Sequence, residues 1–305
     1  SATGPRPCGS FGRGASSLGR FGGSWALTEI AETPQQARWA GLAALVGGAC
    51  VIGTVPILVR LADAGPAATG FWRMVFALPI LAVMSARAAP NAFAAPSRPV
   101  LIAGTMFSLD LAFWHYGITF TSVANATVLA NLTPLIVTGI AWLVFKQRPE
   151  RLFLVAVAVA VSGAWIMAAA KGGAPGKAPL VGDLLSAATA VWYALYMLAI
   201  GRARQVEGAM RVMFWSTLAS MVMLLGAALL LGERLTPARI AGRLTCVGLG
   251  VVHVAGQGAI AWALGRLPTS TASVVVLVQP VVAAILGWML FNEALGPWQA
   301  LGGAV

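Results

Sequence analysis

Charged side chains are scarce in this sequence. Only 10% of its 305 residues are charged and nine are acids, whereas 59% are hydrophobic. Soluble domains carry about 25% charged residues, so a globular core could not bury this much apolar surface. The apolar positions form long continuous runs rather than the alternating pattern of lipid-facing strands. The sequence therefore predicts an all-α integral membrane protein.

Chemical motifs are scarce as well. The three cysteines, Cys8, Cys50 and Cys246, have neither a metal-binding nor a redox spacing. The apolar runs contain no second deep aspartate, no His-Glu-x-x-His and no Gly-rich nucleotide loop. No lysine lies deep in an apolar run, and this argues against a retinal-type receptor. These absences argue against an intramembrane enzyme and an ATP-driven pump, and we expect no metal or cofactor.

The apolar runs predict ten membrane spans, since a span needs about 20 apolar residues. The uncharged stretch 111–145 is too long for one helix, so a tight turn is expected at 117–121. The tenth span is expected to be truncated, because the sequence stops at Val305. The predicted spans are 39–59, 68–86, 100–120, 122–145, 152–170, 180–201, 212–232, 244–265, 268–291 and a run from 295.

The sequence of the fourth span is repeated in the ninth. Ala126, Val128, Pro134, Trp142 and Phe145 recur 146 positions later as Ala272, Val274, Pro280, Trp288 and Phe291. A Gly- and Pro-rich linker at 172–179 separates a first repeat, 39–171, from a second, 180–305. Each repeat holds an odd number of spans, so the second is predicted to be inverted in the membrane. Inverted repeats are typical of transporters.

The net charge of +11 predicts the orientation of the chain. Lysine and arginine collect in cytoplasmic loops, and placing the N-terminus inside puts most of the cations on that side. The positive net charge therefore does not require a nucleic-acid partner. Residues 1–38, rich in Gly, Ser and Arg, are expected to be a flexible cytoplasmic tail.

The order of these motifs resembles the drug/metabolite transporter superfamily in its ten-helix form with two EamA domains. The residues that carry the resemblance are the segments 121–126 and 269–272, Pro134, Pro280 and the Gly182–Tyr196 region. The sequence departs from the family at Gln147, where an acid is frequent. The resemblance implies a carrier of small metabolites in the bacterial inner membrane, frequently an exporter, with the exporters of amino acids, including aromatic ones, nearest. We expect a monomer or weak dimer.

Asp110 is the sharpest candidate for a substrate-binding residue, because it is the only acid well inside a span. A carboxylate at membrane depth costs about 2.5–3.5 kcal/mol and normally faces a cavity or a partner. Asp110 could bind a substrate ammonium group or carry a coupled proton, or it could be a structural acid. Trp114 lies one turn further on the same face.

Further candidates lie in the other central spans. His253 and Gln257 share one face of span eight, and either line a cavity or tie helices together. Asn131 and Gln279 accompany the prolines of spans four and nine. Trp192 and Tyr196 offer an aromatic wall or simply fill space.

Pro134 and Pro280 are expected to bend their helices and free a carbonyl group one turn earlier, as a gate or as a plain structural bend. Arg73, near the start of span two, could bind a carboxylate, but snorkelling to the headgroups is favoured.

Together these features predict a secondary active transporter whose two halves rock about a central site in alternating access. Amphipathic zwitterions, above all aromatic amino acids, are the expected substrates, with protons as a candidate coupling ion. Efflux of other small organic solutes and a passive channel remain alternatives.

Overall fold

The computed structural model describes residues 34–121, 129–144, 146, 148–169 and 178–291. Within these ranges all regular structure is helical. A π-helical turn, His253–Gln257, joins the helix that ends at Val252 to the helix that begins at Gly258 without a break. The helices are α1 Pro34–Ile52, α2 Val55–Leu61, α3 Pro66–Ala88, α4 Arg98–Phe120, α5 Thr133–Leu143, α6 Arg151–Ala169, α7 Pro179–Ala203, α8 Ala209–Leu230, α9 Ile240–Val252, α10 Gly258–Ala263, α11 Thr269–Val275 and α12 Val278–Phe291.

Proline sets where many of these helices begin. Each of α2, α3, α4, α5 and α7 carries a proline in its first two positions. Proline suits this place because its backbone angle φ is already helical and the N–H it lacks would be unpaired there. Six helical stretches of the described chain are long and apolar enough to cross a membrane, namely 35–59, 66–88, 179–203, 209–230, 240–263 and 269–290.

The helices pack in a regular pattern of pairs. Helix α4 lies along α7, and α3 lies along α8. Helix α4 also contacts α8, and α9 contacts α3. Helix α1 packs on the π turn and α10, whereas α5 contacts α7 and α11. The buried core lies where α3, α4, α7, α8 and the π turn meet.

Glycines bring the helix backbones close together at these contacts. A Cβ atom on Gly104 of α4 would lie 2.5 Å from the Ser216 carbonyl oxygen of α8. A Cβ atom on Gly250 of α9 would lie 2.6 Å from the Phe76 Cβ of α3. Small residues permit such approaches between membrane helices, where packing takes over from the hydrophobic effect.

The structure corrects several predicted boundaries. The turn predicted at 117–121 is wrong, because α4 continues as a helix to Phe120. Gly117 sits inside that helix, where a Cβ atom would lie 2.5 Å from the Ser186 hydroxyl of α7. Span one is interrupted at Gly53–Thr54, and a Cβ atom on Gly53 would lie 2.6 Å from the Val282 Cβ. The close approach of α12 therefore accompanies a break that the apolar pattern does not reveal.

Other expectations lie outside the described residues. These are most of the predicted tail, the start of span four at 122–128, most of the linker and the tenth span. The last residues assigned to the tail, 34–38, belong instead to the first turns of α1.

Replacing Gly104 by Ala tests whether these close approaches limit the stability of the bundle. Alanine favours helix by about 1 kcal/mol over glycine, but the new methyl group would clash with the Ser216 carbonyl, and overpacking costs about 1–3 kcal/mol. We expect Gly104→Ala to lower the melting temperature in detergent. Gly226→Ala, where no atom lies within 4 Å of the new Cβ, should leave the melting temperature unchanged or raise it. Equal effects of the two variants would contradict this packing.

Candidate functional site

Two buried charges lie near the centre of the helix bundle. Arg73 of α3 is 4% exposed and Asp110 of α4 is 8% exposed. Their charges interact, but the two side chains form no direct ion pair. The guanidinium carbon of Arg73 lies 5.6 Å from the centre of the Phe107 ring. The bundle thus holds a basic and an acidic side chain in the same region without a direct ion pair between them.

Aromatic rings surround this charge pair. The Phe107 ring lies 4.7 Å from the Tyr196 ring and 5.4 Å from the His253 ring, centre to centre. Tyr193 and Tyr196 of α7 lie 5.8 Å apart. The hydroxyl of Tyr196 donates a hydrogen bond of 3.2 Å to the Gln257 side-chain oxygen. The side chain of Gln279 in α12 adjoins Tyr193. Five elements, α3, α4, α7, the π turn and α12, therefore contribute to one site, which we call the central cluster.

Two polar atoms of the central cluster, Arg73 Nε and His253 Nδ1, are buried without a hydrogen-bond partner. The Tyr193 hydroxyl lies beside the amides of Gln257 and Gln279. An unpaired buried polar group costs about 1–3 kcal/mol, and most buried polar groups in proteins are paired. The central cluster therefore retains hydrogen-bonding capacity for a polar solute.

The π turn explains how span eight supplies two polar side chains to the cluster. His253 and Gln257 are 1% and 2% exposed. His253 Nε2 and Thr217 Oγ1 of α8 share a hydrogen bond of 2.9 Å. Gly256, within the turn, faces α1, where a Cβ atom would lie 2.6 Å from the Ile52 side chain. π turns are rare and occur frequently at functional sites.

The structure brings together five of the residues that the sequence singled out: Asp110, Tyr196, His253, Gln257 and Gln279. The other three candidates have different surroundings. Trp114 makes its ring contact with His115, and Trp192 makes its ring contact with Phe113. Among the described residues, no hydrogen bond or aromatic ring pair joins Trp114, Trp192 or Asn131 to the central cluster. Trp192 Nε1 and Asn131 Nδ2 are nevertheless buried and unpartnered.

Arg73 is the main residue that the sequence interpretation missed. Snorkelling was the favoured interpretation, and it is wrong, because the guanidinium is enclosed by the bundle. A signal was present in the sequence. Every fourth residue along this part of α3 is buried, which marks one inward-facing side of the helix: Thr69, Arg73, Ala77, Leu81 and Ser85. An arginine in the middle of such a face points inward.

The two prolines act differently from the prediction. Each lies in the first turn of the second part of a broken helix, α5 or α12, rather than inside a bent one. The Ala130 carbonyl, one turn before Pro134, accepts a hydrogen bond of 3.0 Å from the Thr133 hydroxyl. The Val276 carbonyl, one turn before Pro280, accepts one of 3.0 Å from the Gln279 backbone N–H. The predicted free carbonyl groups are therefore both occupied.

One end of the bundle is closed by what we call the Glu233 latch. Glu233, in the loop after α8, accepts hydrogen bonds from the backbone N–H groups of Ala67 and Ala68, at 3.1 and 2.9 Å, and from the Tyr116 hydroxyl. The first two bonds cap the positive N-terminal end of α3. Trp72 Nε1 donates to the Leu235 carbonyl at 2.7 Å.

The opposite end is closed by the Arg211 latch. Arg211, at the start of α8, donates hydrogen bonds of 2.9 and 2.8 Å to the carbonyls of Asn91 and Ala95 in the loop after α3. Trp215 Nε1 donates to the Ala92 carbonyl at 3.3 Å. Both latches join an early helix or its loop to a late one.

Two cavities of the described structure lie away from the central cluster. One of about 550 Å³ opens between α1, α3 and α10, and one of about 280 Å³ lies beside the Arg211 latch. The cluster side chains Arg73, Asp110, His253 and Gln257 are themselves buried in this conformation. No group of three potential metal ligands occurs in the described ranges.

A double-mutant cycle tests the coupling between the two buried charges. We expect Arg73→Gln and Asp110→Asn each to destabilise the protein, because each leaves one buried charge without its counterpart. The double variant should lose less than the sum of the two, with a coupling of about 1–3 kcal/mol. Thermal unfolding in detergent measures the three differences, and additive losses would contradict the coupling.

Comparisons with known proteins agree with this architecture. The sequence profile of the EamA-like transporter family matches residues 39–169 and again 180–305. An uncharacterized transporter of Archaeoglobus fulgidus is 26% identical over 266 residues, which cover 87% of this chain and 93% of the relative. The uncharacterized transporter YwfM of Bacillus subtilis is 27% identical over 190 residues, which cover 60% of this chain and 61% of the relative.

A protein of known crystal structure shares the fold. Its TM-score is 0.74 at 19% sequence identity, and the match covers 89% of this chain and 94% of that one. The two profile matches span most of the chain, including every residue of the central cluster and both latches. This chain is therefore a member of the EamA-like transporter family, a family of multi-pass membrane transporters within the drug/metabolite transporter superfamily.

Proposed function

We propose that this transporter moves small zwitterions, above all amino acids with an apolar or aromatic side chain, and that it binds them at the central cluster. One observation carries the proposal: Arg73 and Asp110 lie buried side by side without a direct ion pair. Arginine binds carboxylates through charge-assisted hydrogen bonds, and a buried carboxylate suits an ammonium group. An amino acid offers both partners on one carbon atom.

The walls of the cluster support a substrate with an apolar side chain. The rings of Phe107, Tyr193 and Tyr196 adjoin the charges. Binding sites for small molecules are mostly apolar, with a few polar groups that fix the orientation of the ligand. Arg73 Nε and His253 Nδ1 lack hydrogen-bond partners, and they can supply further hydrogen bonds to a bound zwitterion.

The helix contacts support two repeats of inverted topology. In the proposed repeat, spans one to five correspond to spans six to ten. The contact of α4 (span three) with α7 (span six) then corresponds to that of α10 (span eight) with α1 (span one). The contact of α4 with α8 (span seven) corresponds to that of α9 (span eight) with α3 (span two). The α3–α8 contact is converted into itself. Gly104 and Gly250, which mediate two of these related contacts, are 146 positions apart, the same offset that relates Pro134 to Pro280. Two repeats of five spans each would give ten spans.

The two latches support alternating access. The Glu233 latch joins the start of α3 to the loop after α8, and the Arg211 latch joins the start of α8 to the loop after α3. Each contains a tryptophan indole bonded to a loop carbonyl, Trp72 or Trp215. Opening one latch while the other holds would expose the central cluster to one side only. Closure at both ends favours a carrier over a passive channel.

The distribution of cations supports the proposed orientation. The helix ends on the side of the Arg211 latch carry nine arginines and lysines besides Arg211, whereas the described residues at the other end carry fewer. The positive-inside rule then places the Arg211 end and the N-terminus in the cytoplasm of a bacterial cell, with the bundle in the inner membrane. The nine are Arg38, Arg87, Arg98, Lys146, Arg148, Arg151, Arg202, Arg204 and Arg266.

Transport in proteoliposomes tests the substrate class. A panel of labelled amino acids, measured with and without a pH gradient, should show saturable uptake and counterflow, strongest for apolar and aromatic side chains. Asp110→Asn and Arg73→Gln should each reduce uptake about tenfold or more, because a charge-assisted hydrogen bond is worth about 1.5–3 kcal/mol. Arg87→Gln, at the exposed end of α3, is the matched control and should transport normally.

Uptake that stays unchanged in both cluster variants would refute the site. Uptake of uncharged solutes but of no amino acid would instead indicate efflux of other small metabolites. If transport by the wild-type protein responds to a pH gradient and that of Asp110→Asn does not, Asp110 carries the coupled proton.

Hydrogen exchange tests the two latches. Glu233→Gln weakens the cap on α3, so we expect faster amide exchange at residues 66–72 and slower exchange at 209–215. Arg211→Gln should produce the opposite pattern, because the closed state of one end accompanies the open state of the other. Glu150→Gln, at an exposed position before α6, serves as the control. Faster exchange at both ends in either variant would show plain destabilisation instead of alternation.

A further inference from the structure

An apolar groove runs along the side of the bundle. Its cavity of about 550 Å³ is lined by carbon-rich side chains, among them Ala44, Ile80, Met84, Val251, Val254 and Trp262. No charged residue lines it. From Val251 to Trp262 the helix rises roughly 16 Å at 1.5 Å per residue. This length is close to half of the ~30 Å hydrocarbon core, which is the depth of one leaflet.

The groove ends at a polar cavity. A second cavity of about 280 Å³ shares Met210 and Trp262 with the groove, and Ser85, Asn91 and Glu207 also line it. The side chain of Glu207 is 10% exposed. One of its oxygens accepts a bond of 2.7 Å from Arg211, and the other is buried without any partner. A carboxylate oxygen in this position calls for a hydrogen-bond donor, preferably a cation.

Positive charge adjoins the same end of the groove. The guanidinium carbon of Arg266 lies 3.4 Å from the centre of the Trp262 ring, and Trp262 lines both cavities. Arg204 is nearby, since burial and the charge of Arg266 together lower the pKa of Arg204. Arg204 is already bonded to the Ala261 and Glu207 carbonyls, whereas Arg266 is exposed. Arg266 can therefore meet an anion at the mouth of the polar cavity.

We propose that the groove and the polar cavity together bind one phospholipid with a primary amine headgroup. Its acyl chain lies along the groove, its phosphate faces Arg266, and its ammonium group donates to the unpartnered oxygen of Glu207. A choline headgroup has no N–H to donate, and a glycerol headgroup has no cation. The leaflet-length groove with polar groups at one end fits a lipid rather than a protein segment.

This site is separate from the central cluster and does not depend on the identity of the transported substrate. Two elements are shared, α3 and the π turn. Arg73 and His253 are buried inside the bundle, whereas Ile80 and Ala255 of the same elements line the groove. The lipid would adjoin the Arg211 latch, since Asn91, Ala92 and Arg211 also line the polar cavity.

Lipid binding to the purified, delipidated protein tests the proposal. Phosphatidylethanolamine, phosphatidylcholine and phosphatidylglycerol with the same acyl chains are added in detergent, and bound lipid is measured by native mass spectrometry and by the shift in melting temperature. We expect phosphatidylethanolamine to bind about tenfold more tightly than phosphatidylcholine, the value of one charge-assisted hydrogen bond.

The variants separate headgroup recognition from general lipid contact. Glu207→Gln should remove the preference for phosphatidylethanolamine, whereas Glu207→Asp, which keeps the carboxylate, should retain most of it. Ala255→Trp, which fills the groove, should weaken binding of all three lipids. Val222→Trp, at an exposed position of α8 away from the groove, should not.

Because the lipids are compared within each variant, a change in overall stability does not affect the ratio. Equal binding of phosphatidylethanolamine and phosphatidylcholine by the wild-type protein would overturn the proposal. An unchanged preference in Glu207→Gln would overturn it too, as would equal effects of Ala255→Trp and Val222→Trp.

Discussion

The burial of two opposite charges in an apolar bundle is the constraint on which the site depends. Neither Arg73 nor Asp110 could remain ionised at this depth alone, because an isolated charge in a membrane is costly. Arg73 and Asp110 lie in the same cluster without a direct ion pair, so their polar groups remain open to a ligand. Phe107 and the tyrosines of α7 exclude lipid from them, and the π turn of span eight supplies the neighbouring amide and imidazole. Under the proposed function, a zwitterion would supply each of these two side chains with a partner of opposite charge.

Much of this architecture follows from the sequence. Scarce charge predicts a membrane protein, and apolar runs locate most helices to within a few residues. Asp110, His253 and Gln257 stand out because polar groups are costly at those depths, and the structure places them in one cluster. Arg73 could not be placed in the same way, because a long side chain near a helix end can either snorkel or turn inward, and only the packing of α3 against α4 and α8 decides.

The remaining features depend on contacts between distant residues. The turn expected at 117–121 is absent because Gly117 packs on α7, a contact that a local pattern does not reveal. The carbonyl groups expected to be free near the prolines are occupied by Thr133 and Gln279. The latches join loops to helices more than 100 residues away. Under the proposed inverted repeat, each latch would be the counterpart of the other.

The most direct test of the account is to match each buried charge to one end of the substrate. Counterflow by the wild-type protein, Arg73→Gln and Asp110→Asn is measured with an amino acid, its carboxamide and its N-acetyl derivative as competitors. The account predicts that Arg73→Gln loses discrimination against the carboxamide alone and that Asp110→Asn loses discrimination against the N-acetyl derivative alone. If both variants change the two preferences alike, Arg73 and Asp110 do not hold opposite ends of a zwitterion, and the proposed site is wrong.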